Sequence, residues 1–424
     1  MFYTEMSREK LEKMYSQLQA HYDACKAQNL KLNMARGKPG AAQLDLVGDL
    51  LTCLADPADC FVDGMDARNY GELAGLPSAR AYWADVLGCK PEQTFMGGAS
   101  SLTLMYDLIA KAYSHGLPHS PRPWCKEETV KFLCPSPGYD RHFKITESFG
   151  AELITIPMTP TGPDMDMVEE LVKDPHVKGI WCVPKYSNPD GIIYSDETVR
   201  RFANLKAAAP DFTIMWDNAY CVHEFDGDFV PFADIISLCE AAGNGDMVYE
   251  FASTSKITFP GAGISVMASS VANITYLLKL IGVQMISYDK INQLRHVKYL
   301  KNKENTLALM KRHAAVLVPK FSAVLEMLDK EIAPCGFACW NQPKGGYFVS
   351  LNTMPGTAKR ALALCKDAGV VMTDAGATYP YGKDPQDSNI RIAPSLPPVD
   401  ELVKAMDIFC TCLKLAALEK LLNI

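Results

Sequence analysis

Short apolar runs alternate with longer amphipathic stretches between residues 78 and 269, and this alternation constrains the fold more than any other feature. Six runs have the length and composition of buried strands, and helical patterns such as those at 101–116 and 195–209 separate several of them. This order is typical of a mostly parallel sheet with helices on both faces, and it predicts an α/β fold. The six runs are KFLCP (131–135), ELITIPM (152–158), GIWCVP (179–184), FTIMWD (212–217), MVYEFAS (247–253) and GISVMAS (263–269).

The pattern changes beyond about residue 300. A helical segment over 305–332 contains Pro319, which is expected to kink or split it. Two strand-like pieces and a closing helix from Pro398 follow, and the amphipathic segment 7–29 is expected to pack with them. Because 424 residues are too many for one ordinary core, we expect two domains. The larger would span residues 45–300, and a smaller α+β domain would combine residues 1–44 and 301–424.

Charge and cysteine usage argue against several classes of protein. The formal net charge is −7 and like charges do not cluster, so neither a nucleic acid nor an anionic membrane is expected as a partner. No apolar stretch reaches the ~18 residues of a membrane span, and residues 1–14 lack the basic and apolar regions of a secretory signal. The 14 cysteines are scattered through apolar segments, which is typical of reduced thiols in a cytoplasm. His115 and His119 have the spacing of zinc ligands on a helix, but the Gly and Pro between them prevent a helix, so no metal site is expected there. No metal site is predicted elsewhere in the chain.

The residues just after the apolar runs carry most of the candidate chemistry. Ligands of open α/β sheets bind beyond the carboxyl ends of the strands. Lys256 lies just beyond such an end, between hydroxyl residues and glycines. Removing an ammonium group from water is costly, so a lysine buried at this place usually has a function that needs its amine. The sequence GGASS at 97–101 opens a predicted helix and offers backbone N–H groups to an anion. The other polar residues at these ends are Tyr139, Asn188, Asp217, Tyr220, Ser253 and Ser255.

This set of groups matches what pyridoxal phosphate requires. Its aldehyde needs a lysine for a Schiff base, its pyridine nitrogen needs a carboxylate, and its phosphate needs a helix N-terminus and hydroxyls. Lys256 and Asp217 would supply the amine and the carboxylate. An ionised carboxylate keeps the ring nitrogen protonated, and the ring can then accept electrons from a substrate carbanion. The residues therefore predict pyridoxal phosphate as the cofactor.

At these motifs the sequence resembles a known family, the fold-type-I pyridoxal-phosphate-dependent aminotransferases of class I/II. ARGKPG, GGASSL, SNPDG, STSK and DKINQLRHVKYL occur in the expected order, and the resemblance covers nearly the whole chain. It is closest to the subgroup Ic branch, which is similar to aspartate aminotransferase. The resemblance implies the PLP transferase fold and a homodimer with shared active sites.

The resemblance also implies roles around the cofactor ring. Lys256 would form the Schiff base and move the proton between the substrate Cα and the cofactor. Asp217 would pair with the pyridine nitrogen, while Asn188 and Tyr220 would hydrogen-bond the phenolic oxygen. Tyr139 would stack on the ring where many relatives have tryptophan. Lys256, Asp217 and Tyr220 are therefore the predicted catalytic residues.

The phosphate site departs from the family pattern in one respect. Many relatives have an arginine shortly after the lysine, whereas ITFPGAGIS at 257–265 contains no basic residue. Either Arg36, Arg295 or Lys303 serves instead, or hydroxyl and backbone N–H groups suffice. Tyr70 matches a tyrosine that relatives send across the dimer interface to the neighbour's phosphate. The other predicted phosphate-binding residues are Gly98, Ala99, Ser100, Ser253 and Ser255.

Substrate recognition is expected to depend on arginine. Arg391, in NIRIAPS, matches the arginine that grips the substrate α-carboxylate. Arginine presents two parallel donors to a carboxylate, which lysine cannot do. Asn188, Arg36 and Gly37 are also predicted to contact the substrate. Further candidates for holding a distal carboxylate are Lys38, Lys290, Arg295 and His296.

The predicted function is a ping-pong amino-group transfer. An amino acid, expected to be aspartate, leaves its amine on the cofactor, and a 2-oxo acid, expected to be 2-oxoglutarate, takes it back. Two alternatives remain open: a carbon–sulfur β-lyase on the same fold, and a non-catalytic regulatory domain that binds the cofactor. The regulatory domain is disfavoured because little sequence precedes ARGKPG and the chain is acidic.

Overall fold

The computed structural model describes residues 2–424, and the elements named below lie in that range. The strands are β1 (Leu32–Asn33), β2 (Phe61–Val62), β3 (Met65–Asp66), β4 (Thr94–Gly97), β5 (Lys131–Ser136), β6 (Glu152–Thr159), β7 (Gly162–Pro163), β8 (Val177–Cys182), β9 (Thr213–Asp217), β10 (Val248–Ser253), β11 (Ser265–Ser269), β12 (Cys339–Trp340), β13 (Val349–Asn352), β14 (Val370–Val371) and β15 (Asn389–Ile392). The helices are α1 (Arg8–Ala27), α2 (Ala41–Asp45), α3 (Pro77–Leu87), α4 (Ser101–Ser114), α5 (Asp140–Ser148), α6 (Met165–Leu171), α7 (Asp196–Ala203), α8 (Ile235–Ala241), α9 (Val271–Gln284), α10 (Lys290–Leu300), α11 (Lys303–Glu331), α12 (Ala358–Asp367) and α13 (Val399–Leu422).

The central sheet has eight strands in the order β4-β11-β10-β9-β8-β5-β6-β7. The four pairs from β10 through β9, β8 and β5 to β6 are parallel. β11 is antiparallel to both of its neighbours, and the edge strand β7 is antiparallel to β6. All six apolar runs named above form strands of this sheet. The predicted α/β fold with a mostly parallel sheet is confirmed.

Apolar side chains cover both faces of this sheet. Ile214 and Trp216 of β9 belong to one apolar core, and Met215 between them belongs to another on the opposite face. Side chains of α3, α6, α7 and α8 complete the first core, and those of α4, α5 and α9 complete the second. Because both faces are buried, strands such as β8, β9 and β11 are buried along their whole length and read as continuous apolar runs.

The N-terminal and C-terminal parts of the chain form a second unit beside the sheet. α1 packs against α13, and β1 pairs in parallel with β14. β12, β13 and β15 form a small antiparallel sheet. Buried residues from these elements, including Tyr22, Val349 and Phe409, share one apolar cluster. The expected packing of the N-terminal segment with the C-terminal part is confirmed, whereas the domain boundaries near residues 45 and 300 stay a prediction.

Helix α11 packs in both units, and it is not split at Pro319 as the sequence predicts. Leu309 belongs to a core of the central sheet, while Leu317 and Phe321 belong to the cluster of the second unit. The sequence predicts a kink or a split at Pro319, but α11 continues through this residue as one helix of 29 residues. The prediction of a split is therefore wrong. The proline removes one main-chain hydrogen bond, but the packing of buried side chains on both sides of it outweighs that loss.

The structure agrees with the cysteine pattern of the sequence. All 14 cysteines are free thiols, and buried ones such as Cys182 and Cys239 fill apolar positions. Within residues 2–424, no helix combines the length and the apolar character needed to cross a bilayer.

Candidate active site

A cavity of about 930 Å³ lies at the carboxyl ends of the parallel strands. Strands β9 and β10 end at its wall, where Asp217 closes β9 and Ser253 closes β10. This is the place where ligands of open α/β sheets bind, because the polar residues that follow several strands meet there. The predicted site residues that line the cavity are Arg36, Gly37, Ser100, Tyr139, Asn188, Asp217, Tyr220, Ser253, Ser255, Lys256 and Arg391.

The amine of Lys256 is enclosed by aromatic rings at the cavity wall. Its Nζ lies 4.9 Å from the centre of the Tyr220 ring and 5.8 Å from that of Tyr347. Burial lowers the pKa of Lys256, and the negative charge of Asp217 partly opposes this shift. A lowered pKa increases the fraction of neutral amine, which is the nucleophilic and proton-accepting form.

Asp217 has one satisfied and one unsatisfied carboxylate oxygen. Its Oδ2 accepts a hydrogen bond from His142 Nε2 at 2.8 Å, and the His142 ring stacks on Trp181 with centroids 4.5 Å apart. Its Oδ1 is buried and has no hydrogen-bond partner among the described residues. Leaving a buried acceptor unpaired costs about 1–3 kcal/mol, so this oxygen is suited to a ligand donor in the cavity.

Sequence reasoning missed His142. The available signal was its position three residues after Tyr139, in the first turn of α5, since residues three apart on a helix lie on one face. The Tyr139 and His142 rings meet edge to face with their centroids 4.9 Å apart, so the two aromatic groups are in contact. Burial, with a further contribution from the Asp217 charge, raises the pKa of Tyr139 to about 12 and keeps its phenol protonated.

Hydroxyls and a helix N-terminus form one end of the cavity. Ser100 caps α4 by accepting a hydrogen bond from the Leu102 N–H, and residues 100–102 line the cavity. Ser255 Oγ donates to the Ala99 carbonyl at 3.4 Å, and Ser253 Oγ donates to Ser255 Oγ at 3.0 Å. The arrangement presents a helix dipole and hydroxyl groups to an anion. Two predicted residues, Gly98 and Ala99, are next to this end but do not line the cavity.

The proposed substitutes for the missing phosphate arginine do not all reach the cavity. Arg36 lines it. Arg295 instead donates to Asn292 through Nη2, and Lys303 contacts the backbone carbonyl of Asp85. The interpretation that Arg295 or Lys303 serves this site within one chain therefore finds no support.

Arg391 also lines the cavity, and several contacts hold its guanidinium. Its Nη1 donates to Asn188 Oδ1 at 3.2 Å and to Asp140 Oδ1 at 3.1 Å, and its Nη2 donates to Thr373 Oγ1 at 3.4 Å. The guanidinium also packs over the Phe348 ring at 4.9 Å. Sequence reasoning found Arg391 and Asn188 but not the other three residues, which belong to distant segments.

The cavity carries more positive than negative charge. Five cationic side chains line it against three carboxylates, although the chain as a whole has a net charge of −7. Three of the cations, Arg36, Lys38 and Arg141, form no ion pair with a carboxylate in the part of the chain that the structure describes. Unpaired cations in a concave site favour anionic ligands.

Several predicted residues lie outside this cavity. Tyr70 is 82% exposed and borders a separate shallow pocket with Lys290. Lys290 Nζ donates to the Gly71 carbonyl at 2.8 Å, and His296 Nε2 bonds to Thr258 Oγ1 at 2.9 Å. Within one chain these residues do not contact the candidate site, and their role in a dimer stays a prediction.

The chain is similar to known proteins over nearly its whole length. The family model described as aspartate amino-transferase matches residues 6–424. The aspartate aminotransferase of Corynebacterium glutamicum is 47% identical over 419 residues, which cover 99% of this chain and 97% of that protein. A crystal structure of an aspartate transaminase from the same organism superposes with a TM-score of 0.95, at 48% identity and 98% coverage of both chains.

A more distant structure shares the fold at lower identity. LysN, the α-aminoadipate aminotransferase of Thermus thermophilus, was solved in complex with N-(5′-phosphopyridoxyl)-L-leucine. It superposes with a TM-score of 0.74 at 20% identity and covers 92% of this chain and 93% of its own. The family match, the full-length identity and the shared fold lead to one conclusion. The chain belongs to the aspartate aminotransferase family and is an aminotransferase.

Proposed function

We propose that this aminotransferase uses pyridoxal phosphate held by Lys256 and Asp217. The observation that carries the proposal is the buried, unpaired Oδ1 of Asp217 in the cavity that also contains the amine of Lys256. A pyridinium N–H would satisfy that oxygen, and the lowered pKa of Lys256 suits an amine that bonds to an aldehyde carbon. When bound, pyridoxal phosphate supplies a protonated ring that withdraws electrons from the substrate Cα.

The residues of the chain then have separate roles. Lys256 accepts the proton from the substrate Cα and returns it, which requires the neutral amine. His142 donates a hydrogen bond to Asp217 Oδ2 and so holds the orientation of the carboxylate. Asn188 and Tyr220 would bind the phenolic oxygen of the cofactor, and Tyr139 would cover the face of its ring.

The phosphate of the cofactor would bind at the N-terminus of α4. Ser100 opens this helix, and Ser253 and Ser255 add hydroxyls beside it. Gly98 and Ala99 would contribute through the backbone of the preceding turn. These hydroxyl and backbone N–H groups would hold the phosphate without a replacement arginine, because Arg36, which lines the same cavity, would be taken by the substrate.

We infer that the substrates are aspartate and 2-oxoglutarate. Both carry two carboxylates, and the cavity carries an excess of cations. Arg391 would bind the α-carboxylate, while Arg36 and Gly37 lie on the cavity wall where a distal carboxylate can be held. The name of the Corynebacterium glutamicum relative supports the choice of aspartate as donor.

The active protein is proposed to be a cytoplasmic homodimer. Tyr70 supports this proposal because a tyrosine that is 82% exposed has no packing role within its own chain. It would reach the phosphate bound by the neighbouring subunit. Fourteen free thiols fit a reducing compartment.

A donor and acceptor screen with the purified protein tests this function. We expect aspartate to convert the bound cofactor to its amine form, and 2-oxoglutarate to restore it. Release of a thiol, pyruvate and ammonia from a cysteine derivative without any acceptor would instead support the carbon–sulfur lyase. Failure of every dicarboxylate donor would contradict the substrate assignment while leaving the cofactor proposal intact.

Substitution of Lys256 tests the role of the amine. We expect Lys256→Ala to remain folded, to lose the visible absorbance of lysine-bound pyridoxal phosphate, and to lose at least ~10⁴-fold in kcat because both the covalent anchor and the base are removed. Lys311→Ala, which removes an exposed lysine of α11, serves as the matched control and should change neither quantity. Substantial turnover by the Lys256 variant would refute the assignment.

A further inference from the structure

A histidine, a cysteine and an aspartate, three kinds of side chain that bind metals, lie close together in the second unit where α1 packs against α13. His21 and Cys25 are four residues apart on α1 and therefore share one face of that helix. Asp407 of α13 faces them. We propose that His21, Cys25 and Asp407 form a binding site for one Zn²⁺ ion, with water as the fourth ligand.

The distances between the three ligand atoms agree with the edges of a zinc tetrahedron. Usual zinc bond lengths give edges of about 3.6 Å between S and N, 3.4 Å between N and O, and 3.6 Å between S and O. Cys25 Sγ lies 3.6 Å from His21 Nε2, and His21 Nε2 lies 3.0 Å from Asp407 Oδ2. Cys25 Sγ lies 4.0 Å from Asp407 Oδ2. Each edge is within about 0.4 Å of the ideal, so small side chain rotations would admit the ion.

The surroundings of the cluster suit a site that is reached from solvent. Cys25 is 4% exposed and packs in the apolar cluster of the second unit, whereas the His21 and Asp407 side chains are about half exposed. The thiol is thus held on a buried side and the fourth position faces water. Asp407 forms no ion pair with lysine or arginine among residues 2–424, so no resident cation competes for its carboxylate.

The ligand types favour zinc over calcium or magnesium. A thiol, an imidazole and one carboxylate form the mixed S, N and O set that zinc prefers, whereas calcium and magnesium require mainly oxygen. Coordination releases the thiol proton to solvent, and the resulting charges of −1 on Cys25 and −1 on Asp407 balance the ion.

The bound ion would join the N-terminal helix to the C-terminal helix. α1 leads into residues 33–38, several of which line the active-site cavity. The site would therefore stabilise the part of the chain that supplies this wall without contacting the cavity itself. The sequence analysis predicts no metal site. It could not find this cluster, because Cys25 and Asp407 are 382 residues apart and only folding brings them together.

Cobalt titration of the chelator-treated holoenzyme tests the proposal. Co²⁺ should bind with a stoichiometry of one per chain and give the long-wavelength d–d bands of a tetrahedral site, which do not overlap the absorbance of a pyridoxal cofactor. Zn²⁺ should displace it and abolish these bands. Absence of the bands at saturating Co²⁺ would overturn the proposal.

Variants assign the bands to the cluster. Cys25→Ser should abolish them, and His21→Gln and Asp407→Asn should each weaken Co²⁺ binding at least tenfold. Cys125→Ser and His115→Gln, which change an exposed cysteine and an exposed histidine elsewhere, should bind as the wild type does. Bands that persist in Cys25→Ser would refute the site. As a second readout, Zn²⁺ should raise the melting temperature of the wild type but not of Cys25→Ser.

Discussion

The Arg391 guanidinium is paired with a carboxylate of its own chain. Asp140 Oδ1 and Asn188 Oδ1 both accept from Nη1, and Nη2 reaches the Thr373 hydroxyl. A substrate carboxylate that binds Arg391 has to share or displace these acceptors. An amide and a hydroxyl yield more easily than a carboxylate, because the bond to Asp140 joins two charged groups, whereas Asn188 and Thr373 are neutral acceptors. Asp140 therefore competes with the substrate for the arginine.

Removing the charge at Asp140 is expected to strengthen substrate binding. Asp140→Asn should lower KM for both the amino donor and the oxo acceptor by up to about tenfold, with little change in kcat, because it replaces a charged competing acceptor by a neutral one. Steady-state kinetics of both half-reactions measure this. Asp374→Asn, which neutralises another cavity carboxylate without a contact to Arg391, is the matched control. A higher KM in Asp140→Asn would show that Asp140 mainly orients the arginine.

Helix α11 shows how tertiary packing overrides a local breaker. Pro319 lies on its exposed side, while the neighbouring Leu317 and Phe321 are buried in the apolar cluster of the second unit. Helix propensity predicts a break at this proline, but packing on both sides of it is strong enough to maintain one helix. The local cost of the proline remains in the folded protein.

Replacing this proline should therefore stabilise the protein. Pro319→Ala is expected to raise the free energy of unfolding by about 2 kcal/mol, since alanine gains ~3 kcal/mol of helix propensity and loses up to ~1 kcal/mol through a more flexible unfolded chain. Denaturant titration measures this change. Val318→Ala, at the exposed neighbouring position, should change stability by less than about 0.5 kcal/mol. A destabilised Pro319→Ala would contradict the continuous helix.

The strands illustrate the same balance between local pattern and packing. Six apolar runs predict six strands correctly because both faces of the sheet are buried and each run is continuous. β4 and β7 escape the prediction because they have only four and two residues, too few for an apolar run to stand out in the sequence.

Stability of the whole molecule is expected to depend on pH through a buried acid. Glu250 of β10 is 3% exposed, and its Oε1 accepts from Asn218 Nδ2 at 2.9 Å. Burial raises the pKa of Glu250 to about 8, with a smaller opposing contribution from the Asn218 hydrogen bond. The folded protein thus keeps a proton that the unfolded chain loses above its ordinary pKa of 4.5.

The sign of the effect follows from that difference in bound protons. Between about pH 5 and 8 the folded state binds more protons than the unfolded state. The free energy of unfolding therefore falls, through Glu250, by up to about 1.4 kcal/mol per pH unit as pH rises. Glu250→Gln should keep the acceptor for Asn218 and remove this slope, so that its advantage over the wild type grows towards pH 8. Denaturant titrations across this range measure it. Glu128→Gln, at an exposed glutamate, should leave the slope unchanged, and an unchanged slope in Glu250→Gln would contradict the prediction.

Local pattern was sufficient for six of the eight strands of the central sheet and for Lys256 and Asp217. Asp217 ends one apolar run and Lys256 comes shortly after another. They could be found because the carboxyl ends of parallel strands lie at the same edge of a sheet, so residues at these ends come together in one site. The same holds for the hydroxyls and glycines at the start of α4, whose role depends only on neighbouring residues.

Tertiary packing alone decided which distant side chains meet. His142 bonds to Asp217 across 75 residues, and Arg391 pairs with Asp140 across 251. Cys25 meets Asp407 across 382 residues. No periodicity or spacing encodes such contacts, because they depend on how helices and loops from separate parts of the chain are placed in three dimensions.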